Sequence, residues 1–375
     1  MRSTVYRTLA SGLLAALPLC SLAASPIPAT LDEYGVLGTD GKVLSLRGNT
    51  MVYDLAAPLF TDHALKFRTL TLPSGSTVHY RGDEVLDLPI GTIISKTFYY
   101  ARDPARPGGW LKTAKSDGGE QIDLARHRMI ETRILRRDSD GSWQANTYVW
   151  NEAQTQATLR RIGQDIDATL HDAASKTTNN LRYSVPNARQ CQTCHAVNAT
   201  NGQAGIQPIG PRVRYINLDY RYDQGPMNQL AKLATLGKID GLPTNAADLP
   251  KPIAYADPKA GTVEQRARAY LEINCAHCHN AMGDARQSGL MLTPDAKGSA
   301  LGICKQHVAA GSGGANLTYD IVPGKPNQSL LISRMEATTG QAMMPRVGRS
   351  LADQAAIELL RAWIAAMPGG CDNGH

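Results

Sequence analysis

The chain has 375 residues, 42% apolar and 19% charged, enough for two or three domains with buried cores and too apolar for a disordered chain. Its net charge of +6 is spread without Lys/Arg blocks or aromatic-basic stripes, which argues against nucleic acid as a partner.

Residues 1–23 carry Arg2 and Arg7 as their only charges, and an Ala/Leu-rich run extends from Leu9 to Leu22 before the small residues Ala23, Ala24 and Ser25. This order is that of a secretory signal peptide, with cleavage expected after Ala23 and a periplasmic product of net charge +4. A membrane anchor would need a longer run without Pro18, and no later stretch approaches spanning length, so the mature chain is expected to lack a transmembrane span. Cys20 raises a lipoprotein alternative. Bulky Leu19 opposes it, standing where a lipid-attachment site takes a small residue.

Residues 30–180 read as a β-rich domain. Thr39-Asp40-Gly41-Lys42 separates two apolar runs, and Gly91 to Tyr100 is β-branched and aromatic. Met129–Leu135 and Trp143–Trp150 flank the turn Asp138-Ser139-Asp140-Gly141, a hairpin signal. Such strands suggest an antiparallel sandwich or barrel. His63, His79 and His127 have no metal-ligand spacing and read as ordinary histidines.

Residues 181–258 form a segment around Cys191-Gln192-Thr193-Cys194-His195, in a stretch from Asn179 to Pro211 with little periodicity. A short amphipathic helix is expected from Met227 to Leu236, ended by Gly237, and proline-rich Gly241–Lys259 reads as a linker. Within residues 259–375, Thr262-Val263-Glu264-Gln265 is a capping box. Its helix runs through Ala267, Tyr270 and Leu271 towards Cys275-Ala276-His277-Cys278-His279. A second helix signal, Ser350 to Asp353, precedes the stripe Leu360, Trp363, Ile364 and Met367.

Both pentapeptides have the C-x-x-C-H spacing of c-type haem attachment. Two thiols three positions apart can add to both vinyl groups of one porphyrin, and the following His stands beneath the iron. Four cysteines could instead assemble a zinc site, and a thioredoxin-like pair also uses C-x-x-C, but neither needs a His after each pair. The expectation is two covalent haems c, with Cys191, Cys194, Cys275 and Cys278 attached and His195 and His279 as proximal ligands. Met344, just before Pro345, is the expected distal ligand of the second haem ahead of Met343, and His277 is peripheral. For the first haem Met227 is the expected distal ligand, with His171 and His127 as alternatives. The remaining pair, Cys304 and Cys371, is expected to form a disulfide in an oxidising compartment.

Helix, C-x-x-C-H, loop, Met-Pro, helix is the order found in class I cytochromes c. Ile321–Leu331, Met344-Pro345 and Trp363-Ile364 resemble a widespread bacterial cytochrome c module. The whole mature chain resembles a family of exported dihaem cytochromes with a β-rich N-terminal region. There the matching stretches include Pro58–Asp62, Glu131–Leu135 and Tyr148–Asn151. The resemblance implies an α+β multidomain chain: a β sandwich or barrel, an irregular haem-binding segment and an all-α class I cytochrome c domain whose first and last helices cross through Tyr270 and Trp363. It also implies electron transfer without naming a substrate.

Three function classes compete: an electron carrier between redox partner proteins, a haem enzyme of peroxidase or thiosulfate-oxidase type, and the cytochrome subunit of a dehydrogenase. The motifs lie 84 positions apart behind a large β region, unlike a dihaem peroxidase built from two cytochrome domains. With no Ser-His-Asp order, phosphate loop or metal-binding His pair in the sequence, electron transfer is the favoured reading.

Overall fold

A computed structural model describes residues 26–82, 85–113, 116, 118–198, 204–308 and 316–371. The expected signal peptide, Cys20 included, lies outside them. A nine-stranded sheet is the main element. Its centre is Ile93–Arg102, rich in the β-branched and aromatic residues that suit a strand covered on both faces. Along one edge His127–Arg137 pairs antiparallel with it, followed by Trp143–Trp150 and short Ala157–Leu159. Along the other edge Leu65–Thr71 pairs with its first part and Trp110–Leu111 with its end. Thr50–Tyr53 extends the former, while Gln164–Asp172 and Thr177–Val185 extend the latter.

Side chains alternate between the faces of a strand, so register decides what meets what. One face packs Phe67, Met129, Ile134, Tyr148 and Trp150 against a small sheet of Leu37–Thr39, Val43–Leu46 and Gln121–Asp123. Buried hydroxyls on this face pair across strands. Thr97 and Thr132 are 2.7 Å apart, and Trp150 Nε1 donates to Thr132 Oγ1 at 3.0 Å. The opposite face is apolar at both ends. Leu70 and Ile94 meet Val213, Ile216, Leu230 and Leu233 at one end, while Phe98, Tyr100 and Trp110 meet Leu170, Leu181 and Tyr183 at the other. Each fully buried side chain of this kind contributes roughly 1.5–3 kcal/mol. Between the two ends the face is charged.

These elements correct the expected fold class. The described chain is mostly β, with six α-helices: α1 (Ala188–His195), α2 (Val213–Ile216), α3 (Gln229–Thr235), α4 (Val263–Asn274), α5 (Leu330–Glu336) and α6 (Gln354–Ala365). After residue 259 the α-helices have only 12, 7 and 12 residues, and 3₁₀ turns and irregular loops join them. Among the described residues no all-α cytochrome c domain forms. The cause is composition between α4 and α5, where Gly283, Gly289, Gly298, Gly302, Pro323, Gly324 and Pro326 recur. In a helix interior each glycine would cost about 1 kcal/mol and each proline about 3. The helices that do form follow their local signals. The Thr262/Gln265 capping box opens α4, Asp353 caps α6, and Tyr270 and Trp363 share one core cluster. Among the described residues no helix is long and apolar enough to cross a membrane.

Candidate functional site

Asn187 starts α1 through a reciprocal cap. Its Oδ1 accepts from Gln190 N and its own N–H donates to Gln190 Oε1, each at 2.9 Å. This Asn-x-x-Gln pair is a helix signal inside a stretch whose composition reads as irregular. The helix spaces Cys191 and Cys194 by one turn and ends on His195. The second motif instead begins at the C-cap of α4, where Cys278 N and His279 N donate to Cys275 O at 3.1 and 2.9 Å.

The fold brings the two motifs together. Cys278 Sγ donates to Thr193 O at 3.3 Å, and the ligand atoms of Cys194, His277 and Cys278 all lie within 4.8 Å of one another. Cys191 and Cys275 stand outside this group. Cys191 Sγ is 4.0 Å from Thr147 Oγ1 of the large sheet, and Cys275 packs against the core cluster of α4 and α6. A four-cysteine zinc site is therefore not assembled.

The two histidines after the cysteine pairs are held alike. His195 Nδ1 lies 2.8 Å from Gln207 O, and His279 Nδ1 lies 3.3 Å from Leu290 O, with Ser288 Oγ at 3.4 Å. A carbonyl only accepts, so each Nδ1 carries the proton and each Nε2 keeps a lone pair. Burial pushes both imidazoles down to about 4, which leaves them neutral and able to ligate at neutral pH.

Each histidine lines its own cavity. One, of about 290 Å³, contains Cys275, Cys278, His279 and Met344; the other, of about 310 Å³, contains His195, Tyr215 and Met282. Cys194 and His277 border both, and the Nδ1 of His277 is buried with no hydrogen-bond partner among the described residues.

Met344 is thus brought to the His279 cavity, but Met227 is not brought to the His195 cavity. It sits on the strand Gly225–Asn228, 41% exposed. The expected helix start is also corrected. Asn228 Oδ1 accepts from Leu230 N and Ala231 N at 3.0 and 3.3 Å, so α3 opens after Met227. His171 bonds Thr178 within its hairpin and His127 packs edge-on against Tyr99. Neither lines a cavity described here. Met282, which does, follows the second motif by three residues, so order along the chain ties it to the other histidine.

Two further groups hold the Met344 segment. Arg349 is 8% exposed, and its Nη2 donates to the carbonyls of Met344, Ala337, Met335 and Arg334 at 2.7, 2.7, 3.1 and 3.4 Å. The carboxylate of Asp62 accepts from Ser350 N, Leu351 N and Ser350 Oγ at 2.9, 2.8 and 3.1 Å. Phe60 N donates to Asn274 Oδ1 at 2.8 Å, and Tyr255 Oη donates to Pro58 O at 2.9 Å. Pro58–Asp62 is therefore a segment by which the β region grips both the linker and the C-terminal region. Cys304 and Cys371 form a disulfide, their Cα atoms 5.2 Å apart.

Comparisons of the chain with family models, with curated proteins and with solved structures return no match.

Proposed function

We propose that this chain is an exported dihaem c-type cytochrome that carries electrons between redox partner proteins. The observation that carries this reading is the matched pair of imidazoles. Each follows a C-x-x-C pair, gives its Nδ1 proton to a backbone carbonyl 12 or 11 residues onward, and lines its own cavity. Metal-bound histidines are usually anchored in this way, because the bond fixes the tautomer and makes the free nitrogen more basic.

Haem bound at each motif would supply one-electron redox chemistry at its iron. Cys191 and Cys194 would hold one porphyrin as thioethers, and Cys275 and Cys278 the other. Met344 offers the His279 cavity a soft thioether, a ligand type that raises the potential. Met282 offers one to the His195 cavity and takes the place of Met227 in this reading. The approach of Cys194 to Cys278 sets the two attachment points side by side, which suits transfer from one haem to the other.

The pyridine haemochrome assay on protein matured in a periplasm tests the reading. Two haems per chain are expected, and one after replacing both Cys191 and Cys194 with alanine. Bound zinc without haem would overturn it.

The ligand assignment has its own test. Met344→Ala and Met282→Ala should each remove about half of the long-wavelength Met–iron charge-transfer absorption of the oxidised protein. Met227→Ala should leave it whole. A band unchanged in Met282→Ala but halved in Met227→Ala would restore the exposed residue as ligand.

A further inference from the structure

The charged zone of the large sheet is laid out by strand register. Arg68, Lys96 and Arg133 stand directly opposite one another on three adjacent strands, and Thr147 continues the row on a fourth. Two residues along, Lys66, Phe98 and Glu131 form a parallel row on the same face. Thr147 approaches Cys191, so the row runs up to the first cysteine pair.

Two of the four cations are neutralised. Arg68 pairs with Asp54, and Arg133 grips Glu131 through two bonds of 2.6 and 3.0 Å, while Tyr183 Oη donates to the same carboxylate at 2.6 Å. Lys66 and Lys96 are half-buried and have no ion-pair partner among the described residues. Asp54 and Asp353 act on Lys66, and Glu131 on Lys96, only through space. Phe98 lies under three cations, with Arg133 Cζ, Lys96 Nζ and Lys66 Nζ at 4.2, 5.1 and 5.9 Å from its ring centre. Such contacts return about 0.5–2 kcal/mol each, less than the several kcal/mol lost when an ammonium leaves water. Accordingly, burial followed by the neighbouring cations holds Lys66 well below its ordinary range and Lys96 down to about 7.

We propose that Lys66 and Lys96, with the flanking arginines, are a receptor for a carboxylate or oxyanion seated between the sheet and the first C-x-x-C-H segment. The two lysines without an ion-pair partner set the chemistry of the ligand: a compact anion whose charge keeps both protonated and which takes charge-assisted hydrogen bonds from them. Such an oxygen anion could be a propionate of haem held at Cys191 and Cys194, which would rest on the function proposed above, or a free carboxylate or sulfate.

Calorimetric titration of the full chain with acetate and with sulfate is paired with redox titration of the wild type, Lys96→Arg and Lys66→Gln/Lys96→Gln. A free-anion receptor binds one anion per chain, and the double variant weakens binding about tenfold or more, whereas Lys96→Arg largely keeps it. A propionate receptor shows no such binding, and the double variant moves the midpoint potential of one haem while the other stays. No anion binding together with unmoved potentials overturns the receptor. In a chain without haem, absence of anion binding alone overturns it, so failure of the dihaem reading is distinguishable. Wild-type calorimetry needs no variant to fold.

Discussion

Replacing Arg349 with methionine is expected to lower the unfolding free energy by about 3–5 kcal/mol, as measured by urea denaturation. The effect is large because one buried guanidinium serves carbonyls of the Arg334–Ala337 segment, Met344 and, through Nη1, Leu351 at 3.0 Å. Methionine fills similar space but donates nothing, and each buried carbonyl left without a partner costs about 1–3 kcal/mol. Lysine cannot replace it fully, since a point-like ammonium lacks the planar fork that spans so many acceptors. The change should reach the site as well. Met344 is held through its own N–H to Arg334 O at 3.0 Å and through its carbonyl to Arg349, so losing the latter should weaken the Met–iron band that the proposed ligation assigns to Met344. A stability loss below about 1 kcal/mol, the range of a surface ion pair, would show that the carbonyls find other donors.

Converting Cys304 and Cys371 together to serine is expected to cost about 2–5 kcal/mol and to lower the thermal midpoint by several degrees. The bridge spans 67 positions and ties the segment after the second motif to the chain beyond α6. Ile303 and Met367, close to its two ends, pack on the same core cluster, so the folded geometry does not depend on the bond alone. Its main effect falls on the unfolded chain, whose freedom it restricts. Scanning calorimetry of the variant beside the reduced wild type checks this, because both should melt at the same lowered temperature. An unmoved midpoint would mean that the bridge constrains little.

Short-range signals were readable because their causes are local. The capping box Thr262/Gln265 opens α4, and Asp138–Gly141 joins two paired strands through Asp140, whose carboxylate accepts from Ser142 N at 2.9 Å. The all-α reading of the last region failed for the same reason. It came from the order of motifs shared with class I cytochromes c, and a shared order does not set how far each helix runs: the glycines and prolines between α4 and α5 leave turns and loops there.

By itself the sequence determined the motifs: two cysteine pairs, each followed directly by a histidine, the pattern on which the proposed haem attachment rests. It could not determine neighbours across long separations. Cys194 meets Cys278, Asp62 holds Ser350, and Met282 shares a cavity with His195 because helices and strands far apart in sequence pack together. The charged row shows the physical reason most directly. Arg68, Lys96 and Arg133 are unrelated positions along the chain, and a one-residue slip in either pairing would send one of them to the other face. Register, chosen by the burial of whole faces, decided that they stand together.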